Sequence, residues 1–105
     1  MTIDFEFLDS FERKRILLVD DDPFILGVLE KLLGLLGLKT ILQEGDGEQA
    51  FMLLEGTAVD LLITDILMPK LDGLSLLKKI RSGQSSAAAS LPCIAVSSLG
   101  EEATL

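Results

Sequence analysis

Short apolar runs alternate with longer amphipathic stretches along this chain. Arg15-Ile16-Leu17-Leu18-Val19 is bounded by Lys14 on one side and by Asp20-Asp21-Asp22 on the other. An apolar run that short between polar flanks predicts a buried, parallel-type strand. Asp22-Pro23 follows, a helix-capping residue and then a proline suited to the first helical position. Apolar residues recur at Ile25, Val28, Leu29, Leu32, Leu33 and Leu36, which predicts one buried helical face, and Gly37 supplies the stop. Residues 38–43 read as a second strand, Asp46-Gly47 as a turn, and residues 48–55 as a short helix using Ala50, Phe51 and Leu54. Residues 59–64 form a third apolar run with Asp65 at its end. Met68-Pro69 and Asp72-Gly73 punctuate the next loop, and Leu74, Leu77 and Ile80 mark a third helix ending near Arg81. A Gly/Ser/Ala-rich loop spans 82–90, a fourth strand 91–96 ending at Ser97-Ser98, and residues 100–105 open a further helix. Residues 1–13 lack clean periodicity and read as an extension ahead of one domain over 14–105.

Strands alternating with helices predict an α/β fold, a parallel sheet with helices on both faces and right-handed crossovers. The 105 residues suffice for one domain, and 49% hydrophobic against 25% charged residues is a globular balance. A net charge of −8 argues against a nucleic-acid backbone as a direct partner and for a cation or a basic protein surface. The single cysteine, Cys93, allows no internal disulfide, so a cytoplasmic location is expected, with Cys93 a core thiol in mid-strand. No apolar run reaches the roughly 18–20 residues of a membrane helix. The chain has no histidine, so imidazole-based catalysis and metal ligation are excluded, and carboxylates and hydroxyls are left to carry chemistry.

In an open parallel sheet, ligands gather beyond the carboxyl ends of the strands. Three predicted strands end in polar groups: Asp20-Asp21-Asp22, Asp65, and Ser97-Ser98. If those strands lie side by side, the groups converge. Crowded carboxylates repel and raise one another's pKa, a repulsion that a divalent cation relieves. Magnesium takes hard oxygen ligands and suits one or two carboxylates with a carbonyl and a phosphate oxygen. A carboxylate so placed can accept a phosphoryl group as an acyl phosphate. Asp22 and Asp72 are better explained as helix caps, Lys70 as a solvated loop residue, and the first-helix leucines as core.

The stretches RILLVDDDPFILGVLEKLL, VDLLITDILMPKLDGLSLLKKIR and LPCIAVSSL resemble the three signature regions of response-regulator receiver domains. The resemblance covers about residues 14–100, and the spacing of Asp65, Met68-Pro69 and Asp72-Gly73 is its most specific part. It implies a flavodoxin-like, doubly wound sheet of order 2-1-3-4. It implies that Asp65 is phosphorylated, with Mg2+, by a sensor histidine kinase or a phosphotransfer domain meeting the first helix near residues 23–27. Asp20, Asp21, Asp65 and the main-chain carbonyl of Leu67 would hold the metal. Ser97 would follow the phosphoryl group with its hydroxyl, and Ser98 would leave its path open. Such a domain is not an enzyme beyond promoting its own phosphorylation and dephosphorylation.

The family's fifth strand, with its lysine and aromatic switch residue, and its fifth helix find no counterpart in this sequence. Strand four would then be an apolar edge, expected to pair with another chain in a homodimer or domain swap. An alternative is a pseudo-receiver, an interaction module of the same fold without productive phosphorylation. A phosphohydrolase with its nucleophile on the first strand would want threonine or serine where Phe24 stands.

Overall fold

The structure, a computed structural model, describes residues 12–68, 70–83 and 89–96. Within these, four strands alternate with three helices: β1 (Arg15–Val19), α1 (Pro23–Leu35), β2 (Thr40–Glu44), α2 (Gly47–Gly56), β3 (Leu61–Asp65), α3 (Gly73–Arg81) and β4 (Cys93–Val96). The strands form one parallel sheet of order β2-β1-β3-β4, as expected from the sequence. β1 is buried on both faces. Its Leu17 and Val19 join Leu62 in a core with Ala50 and Leu54 of α2 and Leu76 and Ile80 of α3. Its Ile16 and Leu18 face the other way, into a smaller core with Leu26 of α1 and Leu38. The sheet is therefore doubly wound, with α1 on one face and α2 and α3 on the other.

The three helices start by one device. An aspartate carboxylate accepts a main-chain N–H of the first turn: Asp22 from Phe24 at 2.9 Å, Asp46 from Gln49 at 2.8 Å and Asp72 from Ser75 at 2.8 Å. Each such cap is worth about 1 kcal/mol. Asp46, expected in a turn, is thus a cap, and α2 begins at Gly47. α1 closes where Gly37 takes φ +102°, a left-handed value that suits glycine, and the Leu38 N–H donates to the Leu33 carbonyl at 3.2 Å.

Two helical faces differ from the expected ones. In α1 the buried residue is Leu26, supported by half-buried Leu29 and Leu33, whereas Val28, Leu32 and Leu36 are exposed. α1 carries apolar residues all around its circumference, so periodicity alone left the choice of face open. In α3 the core residues are Leu76 and Ile80, and Leu74 points outward. β2 and β3 also begin two residues later than expected and end one later, at Glu44 and Asp65. Of the extension expected over residues 1–13, residues 1–11 lie outside the described residues, as does the helix expected over 100–105.

The rotated face of α1 is open to test by urea unfolding. Leu26→Ala is expected to cost about 2–4 kcal/mol through the cavity it leaves. Leu32→Ala, at 53% exposure, is expected to cost no more than about 0.5 kcal/mol.

Candidate functional site

Pairing of β1 with β3 sets Val19 opposite Thr64. The next residue on each strand is an aspartate, so Asp20 and Asp65 stand side by side at the carboxyl edge of the sheet. Asp21 joins them: one carboxylate oxygen from each of the three can be chosen so that all lie within 4.8 Å of one another. Asp20 and Asp65 are buried, at 7% and 5% exposure, and Asp21 is exposed. The grouping thus has a buried base and one face toward solvent. Beside it, beneath α1, lies an apolar depression of about 220 Å³ whose walls include Ile25, Leu29, Ile63 and Val96.

Local hydrogen bonds hold the acids in place. The Asp20 N–H donates to the Glu44 carbonyl at 3.1 Å, and Asp20 Oδ1 accepts the Asp22 N–H at 2.9 Å. The Thr64 hydroxyl donates to the Asp65 carbonyl at 3.0 Å, and the Ile66 N–H to the Val96 carbonyl at 3.1 Å. Gly73 packs against the same stretch: a Cβ there would lie 2.1 Å from the Asp65 carbonyl oxygen. Periodicity pointed to neither contact. Thr64 read as an ordinary strand residue, and Gly73 as half of a turn signal.

Burial raises the pKa of Asp20 above its usual value; the Asp22 N–H opposes this in part, and the nearby negative charges of Asp65, Asp21 and Asp22 add to it. The folded chain therefore binds a proton at Asp20 more readily than the unfolded chain does. Ionised Asp20 destabilises the fold above its folded pKa, and that penalty is relieved as pH falls through it. Three hard oxygen donors with a surplus of negative charge fit a small divalent cation such as Mg2+. Leu67 follows in the next loop with its side chain half exposed, and a leucine offers a metal only its main-chain carbonyl. Ser97 and Ser98 lie outside the described residues. β4 does reach the site, because Val96 is in register with Asp65. Asp22 and Asp72 are caps. Lys70 is an exposed loop residue 3.8 Å from Asp46, and Cys93 is a half-buried thiol donating to the Leu91 carbonyl at 3.2 Å.

A family model described as the response regulator receiver domain matches residues 16–105. A gliding motility regulatory protein of Myxococcus xanthus is 41% identical over 91 residues, which cover 84% of this chain and 11% of that protein. The transcriptional regulatory protein CpxR of Klebsiella pneumoniae is 39% identical over 88 residues, covering 84% of this chain and 35% of that one. The chain thus spans between about a tenth and about a third of the length of these relatives. Among solved structures, the receiver domain of a Francisella response regulator superposes with a TM-score of 0.74 at 28% identity, covering 88% of this chain and 72% of that one. The receiver domain of the histidine kinase CKI1 from Arabidopsis thaliana, complexed with Mg2+ and BeF3−, gives 0.74 at 27% identity over 86% of this chain and 69% of that one.

The electrostatic penalty at Asp20 predicts the sign of one substitution. In metal-free buffer at neutral pH, Asp20→Asn should raise stability to urea by on the order of 1 kcal/mol, because a neutral amide escapes both the burial of a charge and the repulsion from the neighbouring acids. The amide oxygen can still accept the Asp22 N–H. The gain should shrink as pH falls through the folded pKa of Asp20; a gain that grew on acidification would contradict the assignment.

Proposed function

This chain belongs to the response regulator receiver family of two-component systems, and on that premise we propose that Asp65 accepts a phosphoryl group from the phosphohistidine of a sensor kinase or phosphotransfer domain. The observation that carries this is the gathering of Asp20, Asp21 and Asp65 within 4.8 Å at the carboxyl edge of the sheet. An Asp65 oxygen attacks phosphorus, the new O–P bond forms as the P–N bond breaks, and the released imidazole takes a proton from solvent. Asp20, Asp21, Asp65 and the Leu67 carbonyl would hold Mg2+. Bound there, it supplies the positive charge that lets a phosphoryl group approach a carboxylate. Asp20 and Asp21 orient that charge, and the hydrogen bonds to the main chain of Asp20 and Asp65 keep the acids from relaxing apart. Ser97, one residue past Val96, would present its hydroxyl to the phosphoryl oxygens, a role that rests on the family resemblance.

The intact triad supports a competent acceptor over a pseudo-receiver. In this reading the chain is a signalling module and not an enzyme beyond its own phosphorylation and dephosphorylation. Among the described residues no helix is long and apolar enough to cross a membrane, which is compatible with action in the cytoplasm. Its partner would meet the N-terminal half of α1, where Phe24 is 73% exposed and Val28 continues the same apolar stripe one turn on. β4 is the edge of the described sheet and leaves Ile94 and Val96 half exposed, which supports pairing with a second copy there.

The test is acetyl phosphate with Mg2+, read by intact mass. One phosphoryl group should be gained, none in Asp65→Asn and none after chelation. Asp21→Asn should slow the gain roughly tenfold or more. A folded wild-type protein that gains no mass would turn the assignment toward a pseudo-receiver.

A further inference from the structure

The loop that joins β3 to α3 carries Leu67, whose carbonyl is assigned to the metal, and it is held by two close backbone approaches. One is made by Gly73, the first residue of α3, where the loop ends against Asp65 and Ile66. The other comes from α2, an element that the loop does not join. A Cβ on Gly47, the first residue of α2, would lie 2.1 Å from the Leu71 carbonyl oxygen, 2.9 Å from the Leu71 carbonyl carbon and 3.0 Å from Leu71 Cβ. Carbon and oxygen atoms do not approach so closely, and the atoms met first are backbone and not the end of a flexible side chain. Gly47 is not among the glycines with positive φ, so its conformation would accept any residue and only the space demands glycine. Gly45, two residues earlier, has nothing within 4 Å of the same position.

The neighbouring side chain reinforces the contact. Asp46 uses Oδ1 to cap α2 and places Oδ2 3.8 Å from Lys70 Nζ. Lys70 is held at φ 63°, a left-handed conformation that a lysine keeps where its surroundings impose it. On either side of Lys70, the side chains of Met68 and Leu71 pack into the core shared with α2 and α3. Leu67 thus sits on a short span whose far side is fixed against the start of α2.

We propose that Asp46 and Gly47 form a positioning element for the acceptor site. The missing side chain at 47 and the ion pair at 46 set where the β3–α3 loop stands, and through it the Leu67 carbonyl and the affinity for a divalent cation. The link to the cation rests on the reading of the acidic triad as a metal site; the link to loop position does not.

The experiment compares Gly47→Ala with Gly45→Ala in the full chain. Amide chemical shifts of the metal-free proteins report loop position, and calorimetric titration with MgCl2 reports affinity. Gly47→Ala should move the amides of Asp65, Ile66 and Leu67 as well as those near Leu71, and weaken Mg2+ binding at least threefold. Gly45→Ala should do neither. Shifts confined to residues 45–49 and 70–72, or wild-type affinity in Gly47→Ala, would overturn the proposal. Should Gly47→Ala not fold, Lys70→Gln decides. Removing a positive charge from this loop would by charge alone tighten Mg2+ binding, whereas loss of the positioning contact weakens it, so tighter binding overturns the proposal. A wild-type protein that binds no Mg2+ would remove the metal reading, and the amide shifts would still judge the role of Gly47.

Discussion

Parallel pairing of β1 with β3 puts like charges where they repel most, Asp20 beside Asp65 at a buried sheet edge. Hydrophobic alternation does little to impose that register, because β1 is apolar on both faces and either face would accept a shifted partner. The polar ends of the strands fix it. At the start of β1, Arg15 and Asp60 exchange two hydrogen bonds: the Arg15 N–H donates to Asp60 Oδ2 at 2.8 Å, and the Asp60 N–H donates to the Arg15 carbonyl at 2.8 Å. At the other end, the Asp20 N–H reaches across to Glu44 on β2, and the Ile66 N–H to Val96 on β4. A slip of one residue would break the reciprocal pair and shift Asp65 along its strand by about 3.3 Å. The reciprocal Arg15–Asp60 pair, at the far end of the β1–β3 ladder, therefore helps to set the two acids side by side.

The two faces of the sheet then serve different ends. The larger core, under α2 and α3, also takes the Met68 and Leu71 side chains from the β3–α3 loop. The loop is in this way an extension of that core, and its position depends on how α2 begins. The smaller core, under α1, involves fewer buried residues and leaves much of α1 apolar and open to solvent. Packing rigidity lies on the side that positions the chemistry, and accessible apolar surface on the side available to a partner.

How much of this was legible in the sequence follows from which forces are local. The caps at Asp22 and Asp72 and the stop at Gly37 are local, and each stands where the sequence placed it. So does Asp65, because an apolar run ending in an acid has one sensible place in a parallel sheet. The face of α1 was not legible: with Leu26, Val28, Leu29, Leu32 and Leu33 all apolar, the choice falls to the tertiary fit against Ile16 and Leu18. The tasks of Asp46 and Gly47 were not legible either. Asp-Gly reads equally well as a turn, and only the approach of Leu71, distant in sequence, shows why the glycine is needed.

The raised pKa of Asp20 and the suitability of the site for a cation have one cause. Burial beside Asp65 and Asp21 leaves the Asp20 oxygens short of positive charge, and a proton or a metal ion can supply it. The two are alternatives at the same oxygens, so whatever holds the acids together favours both. The hydrogen bond from the Asp22 N–H acts in the other direction, stabilising the ionised carboxylate and leaving it available to a cation at neutral pH. Asp22 is thus more than a cap. While its side chain starts α1, its main chain tempers the charge of Asp20, and one residue links the entry into the first helix to the electrostatics of the acidic cluster.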